Sequence, residues 1–328
     1  MHATLAAIVL IVTLGLSGCA GANRAAHSVQ TTDQRFEYAR VVMGSRARLV
    51  VYARDEPVDA VQRAFSILDE CDDTLSDYNP NSEARQLTDA PHGVWRPASP
   101  LLIYALVLSQ SVFNASDGAF DITVGPVTSL WRSANAEGRA PEIGELEGAR
   151  TRVGMDLVDI DERTRRVRLN ERSMRFDFGA IGKGMAADLA LAELERSGYN
   201  VAMVEIGGDL VVGAPPPGRD GWVIGVSDGT VPGPVVRLAN QAIATSGSTY
   251  RFYELDGTAI SHVIDPSTAQ PIAQTPAVAV VAHAGWLADA IATLVALVGP
   301  EDASDAGSSL GEVRLIHVEE HTGSASSR

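Results

Sequence analysis

Lysine is almost missing from this chain. Lys183 is the only one in 328 residues, and every other Lys or Arg position is an arginine. These basic residues are outnumbered 26 to 41 by acidic ones, a formal net charge of −15. That balance excludes a nucleic-acid partner, whose phosphates need a positive footprint, and describes a well-hydrated acidic surface. Cysteine is as scarce, with only Cys19 and Cys71. A disulfide framework is therefore excluded, and stability has to come from an apolar core. Aromatics make up 5%. No apolar run reaches the roughly 20 residues of a comfortable membrane-spanning helix, and no internal repeat is visible. The 45% of apolar residues in a chain of this length suit one large domain or two intimately packed ones.

The start of the chain is an address. Residues 3–17 are apolar and uncharged, the pattern of a secretory h-region, although Met1-His2-Ala3 brings no Lys or Arg ahead of it. Leu16-Ser17-Gly18-Cys19 resembles the bacterial lipoprotein processing box. It implies a signal peptide over 1–18, cleavage before Cys19 and a diacylglyceryl group on its sulfur. A plain signal peptide with an incidental Cys, or an anchor never cut, would share the same apolar run. Residues 19–35 are small and polar and read as a flexible tether. The expected location is a membrane-anchored lipoprotein facing the periplasm, on either membrane, with Ala20 after the cysteine pointing toward the outer one. Cys71 lies on an amphipathic pattern and reads as a small core residue.

Residues 36–320 read as the folded domain and 321–328 as a disordered tail. Arg46–Ala53 alternates like a strand. Pro57 opens a helix with Val58, Val61, Phe65, Leu68 and Leu75 at helical spacing. Ser99-Pro100 starts a second. Gly118–Pro126 reads as a loop, and 133–152 as an exposed excursion. Val158–Glu162 and Arg165–Leu169 look like strands paired about a turn. A helix is expected from about Gly184 to Ser197, then strands at 201–206, 210–213, 222–226 and 235–238. Ala277–Ala282 suits a buried strand, Ala284–Val298 a helix, and Glu312–Val318 a last strand. Without strict βαβ alternation, the fold class is α+β.

Four constellations could carry chemistry. Asp177-Phe-Gly-Ala-Ile-Gly-Lys-Gly-Met-Ala-Ala-Asp188 combines glycines, the N-terminus of a helix and the lone lysine. That is an anion site in outline, and a slim ammonium suits a tight one better than a planar guanidinium. It is neither a Walker A loop nor a GxGxxG fingerprint, and a plain glycine turn before a helix would look the same. Asp289 and Thr293 are one turn apart on an apolar helix. A carboxylate there is expensive unless paired or bound to a metal, and two hard oxygens suit Mg²⁺ with phosphates completing its shell; a local Asp–Thr pair in the core is the plainer reading. His262, before an Asp265-Pro266 turn, could be a general base or a structural histidine. Thr245-Ser246-Gly247-Ser248 could hold phosphate or be an ordinary turn.

In this order the blocks resemble the ApbE family of FAD:protein FMN transferases. The likeness runs from about 38 to 300 through Met43-Gly44-Ser45, Leu75–Glu83, Gly118–Pro126 with Leu130-Trp131, Asp177–Asp188, Glu205–Asp209, Ala244–Gly247, Ser261–Pro266 and Ala288–Thr293. The resemblance implies a two-lobed, T-fold-related α+β architecture with mixed or antiparallel sheets, flanking helices and FAD in the cleft. It implies Mg²⁺ held by the Ala180 carbonyl, Asp289 and Thr293. Met43, Tyr78, Ala119, Phe120, Asp121, Asp177, Lys183 and Ile264 would line the FAD site, with His262 as catalytic base. The activity it implies is transfer of FMN from FAD to a threonine hydroxyl of an acceptor protein such as a membrane redox subunit, with release of AMP. FAD hydrolysis to FMN and AMP, or flavin binding without catalysis, would use the same residues. Ser45 replaces a usual Thr. Ala269 replaces a usual Gly in the turn after His262.

Overall fold

The computed structural model of the protein describes residues 33–227, 232–246, 252–255, 258–272 and 277–317. The expected signal peptide, Cys19, most of the tether, Gly247-Ser248 and the tail lie outside these residues. Folding begins two residues inside the segment read as tether. Strand β1 (Gln34–Val42) pairs with β2 (Ser45–Ala53). Met43 and Gly44 join them with φ of 51° and 64°, and positive φ at both central positions matches the twist of a tight hairpin. Helix α1 (Val58–Leu75) buries Ala60, Val61, Ala64, Phe65, Leu68, Cys71 and Leu75. Helix α2 (Glu83–Asp89) is capped by the Ser82 hydroxyl, which accepts from the Arg85 N–H. After β3 (Arg96–Pro97), α3 (Pro100–Ala115) starts the same way, with the Ser99 hydroxyl accepting from Leu102 and proline at the first turn.

Residues 118–124 form the expected loop, but α4 (Gly125–Glu137) starts at its end and, with α5 (Ile143–Arg150), makes most of the expected excursion helical. Their apolar faces are short, so no periodic pattern announces them. Their ends are nonetheless written locally. Gly138 closes α4 at φ 69°, and Glu142 with Glu145 forms a capping box ahead of α5. Strands β4 (Val158–Asp161) and β5 (Arg166–Leu169) pair about a turn as expected, and β3 joins them. Helix α6 (Gly182–Arg196) begins two residues before the expected start. Then come β6 (Ala202–Ile206), β7 (Asp209–Val212), β8 (Trp222–Ser227), β9 (Pro232–Leu238) and β10 (Gln241–Ser246). Two short hairpins follow, β11 (Phe252–Leu255) with β12 (Thr258–Ser261) and β13 (Ile264–Asp265) with β14 (Gln270–Pro271). The described chain closes with β15 (Val278–Ala282), α7 (Gly285–Val298), α8 (Pro300–Leu310) and β16 (Val313–His317). Pro300 both stops α7 and opens α8, a helix the sequence pattern did not announce because it buries only Ala303, Ala306 and Gly307.

The main sheet has seven strands in the order β1-β2-β6-β7-β10-β15-β16, antiparallel throughout. Its central strands are covered on both faces, and the side chains divide by strict alternation. Leu49, Val51, Val204, Val211, Ala244 and Val280 point to one core, shared with α1, α6 and α7. Val50, Met203, Leu210, Val212, Ile243 and Val281 point to the other, under the β8–β9 hairpin with Trp222 and Leu238. A third small core joins α4 and α5 to the β13–β14 hairpin through Trp131, Leu146, Ile264 and Ala269.

Candidate functional site

The helices α6 and α7 meet backbone to backbone at their first turns. A methyl on Gly184 would lie 2.1 Å from the Gly285 carbonyl oxygen, and one on Gly285 would lie 2.4 Å from that of Gly184. Neither chain can yield, so both positions require glycine. Each helix then caps the other. Asp289, on α7, accepts from the Gly184 N–H at 3.1 Å in the first turn of α6. Asp188, on α6, accepts from Gly285 N–H at 2.7 Å and Trp286 N–H at 2.9 Å at the start of α7. The orphan donors of two helix ends are thus satisfied across the junction. Burial pushes the Asp188 carboxyl up to about 6, against the pull of its two N–H donors and with a further rise from Asp289.

Lys183 points into the same junction. Its ammonium donates to Asp209 Oδ2 at 2.5 Å and lies 3.3–3.4 Å from both oxygens of Asp289. Burial works against this charge, but Asp209 and Asp289 outweigh it and raise Lys183 above the ordinary lysine value. Asp209 arrives on the two-residue turn between β6 and β7, where Gly207 and Gly208 have φ of 59° and 102°. A methyl on Gly207 would sit 2.8 Å from Ser45 Oγ and 3.7 Å from Lys183 Cδ, so this turn and the β1–β2 turn close down on the lysine. The lysine expected to meet phosphate is therefore already committed: two carboxylates face one ammonium, and the cluster is net anionic.

That charge suits a cation. Asp289 is buried, and Thr293 is half-buried one turn along α7 with no hydrogen bond from its hydroxyl among the described residues. Ala180 lies in the turn that enters α6, four residues before Gly184. No three His, Cys, Asp or Glu side chains converge as a metal cluster among the described residues. A cation here would lean on one carboxylate, neutral oxygens and the ligand's phosphates, a donor set that fits Mg²⁺ and not zinc.

A second polar group borders the block. Asp177 Oδ1 accepts from the Gly179 N–H at 2.9 Å, shaping the turn, while Oδ2 pairs with Arg132 of α4 at 3.1 Å. Arg132 also pairs with Asp77, and its guanidinium carbon lies 4.3 Å over the Tyr78 ring. Burial, then the nearby Asp177, push the Asp77 carboxyl up, opposed by Arg132. Tyr78 is 74% exposed, presented like a shelf. Met43 approaches the start of α6, its Cε 3.9 Å from where a Gly182 methyl would be, and its N–H donates to Asp72 at 3.3 Å.

Other residues expected at a flavin site are turned inward. Phe120 is in the main core and Ile264 in the third. Asp121 is buried; its Oδ1 accepts from the Thr123 N–H and hydroxyl at 2.7 and 2.6 Å, and its Oδ2 from Met155 N–H at 3.2 Å. Ala119 is half-buried beside them, against the main core. His262 is half-buried in the short link from β12 to β13. Asp265 accepts from the Ser267 N–H and hydroxyl at 2.8 and 2.7 Å and from the Thr268 hydroxyl at 2.9 Å, building the turn after the histidine. Ala269 in that turn is buried at φ 58°, and its carbonyl accepts from Trp131 Nε1 at 3.0 Å. The backbone shape that glycine favours is thus kept with alanine in place. Arg132, Asp77, Asp188 and Asp209 were not singled out from the sequence. Both aspartates of the junction nevertheless end motifs already noticed, Asp177–Asp188 and Glu205–Asp209.

An antiparallel sheet with flanking helices that brings two helix starts, a lysine and an acidic cluster to one junction defines the chain as an α+β protein. The family can be stated outright. The ApbE family model matches residues 43–315, and the chain belongs to that family. It is 30% identical to an FAD:protein FMN transferase of Klebsiella pneumoniae over 94% of this chain and 90% of that one. It is 27% identical to one from Treponema pallidum, over 90% and 85%. Among solved structures it resembles the apo flavinyl transferase ApbE of Pseudomonas stutzeri, at 26% identity and a TM-score of 0.76 over 88% of this chain and 93% of that one. It also resembles the ApbE protein of Thermotoga maritima, at 27% identity and a TM-score of 0.77 over 87% and 94%.

Proposed function

We propose that this chain transfers FMN from FAD to a threonine hydroxyl of an acceptor protein, releasing AMP. The observation that carries the reading is the α6–α7 junction, where Asp209 and Asp289 form a net-anionic cluster around Lys183, with Thr293 one turn beyond Asp289 on α7 and Ala180 in the turn that enters α6. These three residues would hold Mg²⁺, which when bound neutralises the pyrophosphate and the charge developing on the leaving phosphate. The β1–β2 turn with Met43, and Tyr78 braced by Arg132, would position the flavin nucleotide. His262 takes the proton from the threonine hydroxyl. The oxygen forms a bond to the flavin-side phosphorus, the bond from that phosphorus to the bridging oxygen breaks, and AMP leaves with both electrons of that bond.

The homologous transferases named above support the activity. The lipoprotein box supports a place for it: tethered to a membrane through Cys19, facing the periplasm, working on redox subunits exposed there. The test is mass spectrometry of an acceptor domain incubated with FAD, Mg²⁺ and either wild type or Asp289→Ala. The expected result is a mass gain of one FMN phosphoester with wild type alone. Free FMN with an unlabelled acceptor would overturn transfer in favour of hydrolysis.

A further inference from the structure

Asp209 and Asp289 compete for one ammonium, and they do so unequally. Lys183 makes a short contact to Asp209, at 2.5 Å, and only long ones to Asp289, at 3.3 and 3.4 Å. The firm pair is largely shielded from solvent, with 18% of the lysine side chain and 8% of the aspartate side chain exposed. Each residue sits on a rigid support. Lys183 is in the first turn of α6, where its neighbour Gly184 is locked against Gly285. Asp209 follows the Gly207-Gly208 turn, which is packed against Ser45. Asp289 is aimed separately, by the Gly184 N–H at 3.1 Å, and does not need the lysine to hold its direction.

We infer that Asp209 is a positioning residue for the cation: it holds Lys183 off Asp289, so that the Asp289 carboxylate can bind Mg²⁺. The inference rests on the reading of Asp289 as a metal ligand and goes beyond it. An ammonium and a divalent cation cannot share one carboxylate cheaply, because both carry positive charge within a few ångströms. With Asp209 in place, the lysine charge is already compensated and the contact to Asp289 is loose. Without that partner, Lys183 has a single carboxylate left within reach, and a cation has to displace it. A buried lysine with no acid beside it would instead repel the metal outright.

The measurement is Mn²⁺ binding, read from the loss of the free-ion EPR signal as Mn²⁺ is titrated into the FAD-saturated protein. Four variants are compared with wild type: Asp209→Asn, Lys183→Met, Lys183→Met with Asp209→Asn, and Asp289→Ala. Loss of an outer-shell partner weakens metal binding roughly 10- to 100-fold, and that is the expected result for Asp209→Asn. Lys183→Met is expected to bind at least as tightly as wild type, and the double variant to return to within a few-fold of it. A merely structural role for Asp209 would leave the double variant as weak as the single one, and that outcome overturns the inference. So does unchanged binding in Asp209→Asn. If Asp209→Asn does not fold, weaker binding by Lys183→Met than by wild type overturns it equally. Wild-type binding that is indifferent to Asp289→Ala removes the metal reading itself and the inference with it, an outcome distinct from the others.

Discussion

At the scale of single residues, the junction is decided by atoms that are absent. Gly184 has no room for a methyl, and the obstruction is backbone. Gly184→Ala is expected to lose about 1–3 kcal/mol of stability, measured by urea unfolding, together with Mn²⁺ binding. An unchanged midpoint would mean that the two helices part easily. Ala269 shows the opposite case, a methyl tolerated at φ 58°. Ala269→Gly relieves left-handed strain and removes a buried methyl. These effects oppose each other, so stability should shift by less than about 1 kcal/mol in the same measurement. For His262→Ala, transfer should fall roughly 10²- to 10⁴-fold while FAD still binds, as read by equilibrium dialysis. Loss of FAD binding in step with activity would assign the histidine to the pocket wall instead.

At the scale of elements, the informative pair is α6 and α7, whose capping is exchanged. Asp188 has a folded-state pKa of about 6, above that of an unfolded aspartate. A raised acid contributes its stability fully below the ordinary aspartate range and loses it as pH rises through about 6. The wild type should therefore lose stability relative to Asp188→Asn between pH 4 and pH 7, by at most about 3 kcal/mol. Urea unfolding across that range, with chelator present, checks this; a constant difference between the two proteins would refute it. Much of the element list could be read from local sequence. Ser99-Pro100 marked α3, Gly198 the end of α6, alternation β2 and a short apolar run β15. What stayed hidden included α2, α4, α5 and α8, short helices with too few buried positions to show a period, β1, an edge strand that is mostly exposed, and the central strand β10, whose last two residues read as part of a hydroxyl-rich turn. The α4 miss mattered, because it carries Arg132.

At the scale of the whole molecule, the proposal joins a catalytic body to a membrane through the tether that begins at Cys19. Cys19→Ala should move the protein from the detergent phase to the aqueous phase in detergent partitioning of cells, since a lipid chain supplies most of the membrane affinity. Continued membrane partitioning of the variant would point to an uncut N-terminal anchor. The sequence by itself determined the α+β class and the family, because these depend on local propensities and on motifs whose order survives in one dimension. It also marked Lys183 by its solitude. Only the tertiary structure decided what that lysine faces. Asp209 is 26 residues away and Asp289 is 106, and no local pattern states which of two distant carboxylates an ammonium will prefer. Packing of α6 on α7 and closure of the β6–β7 turn settle it, turning an expected phosphate anchor into the charge partner of two acids.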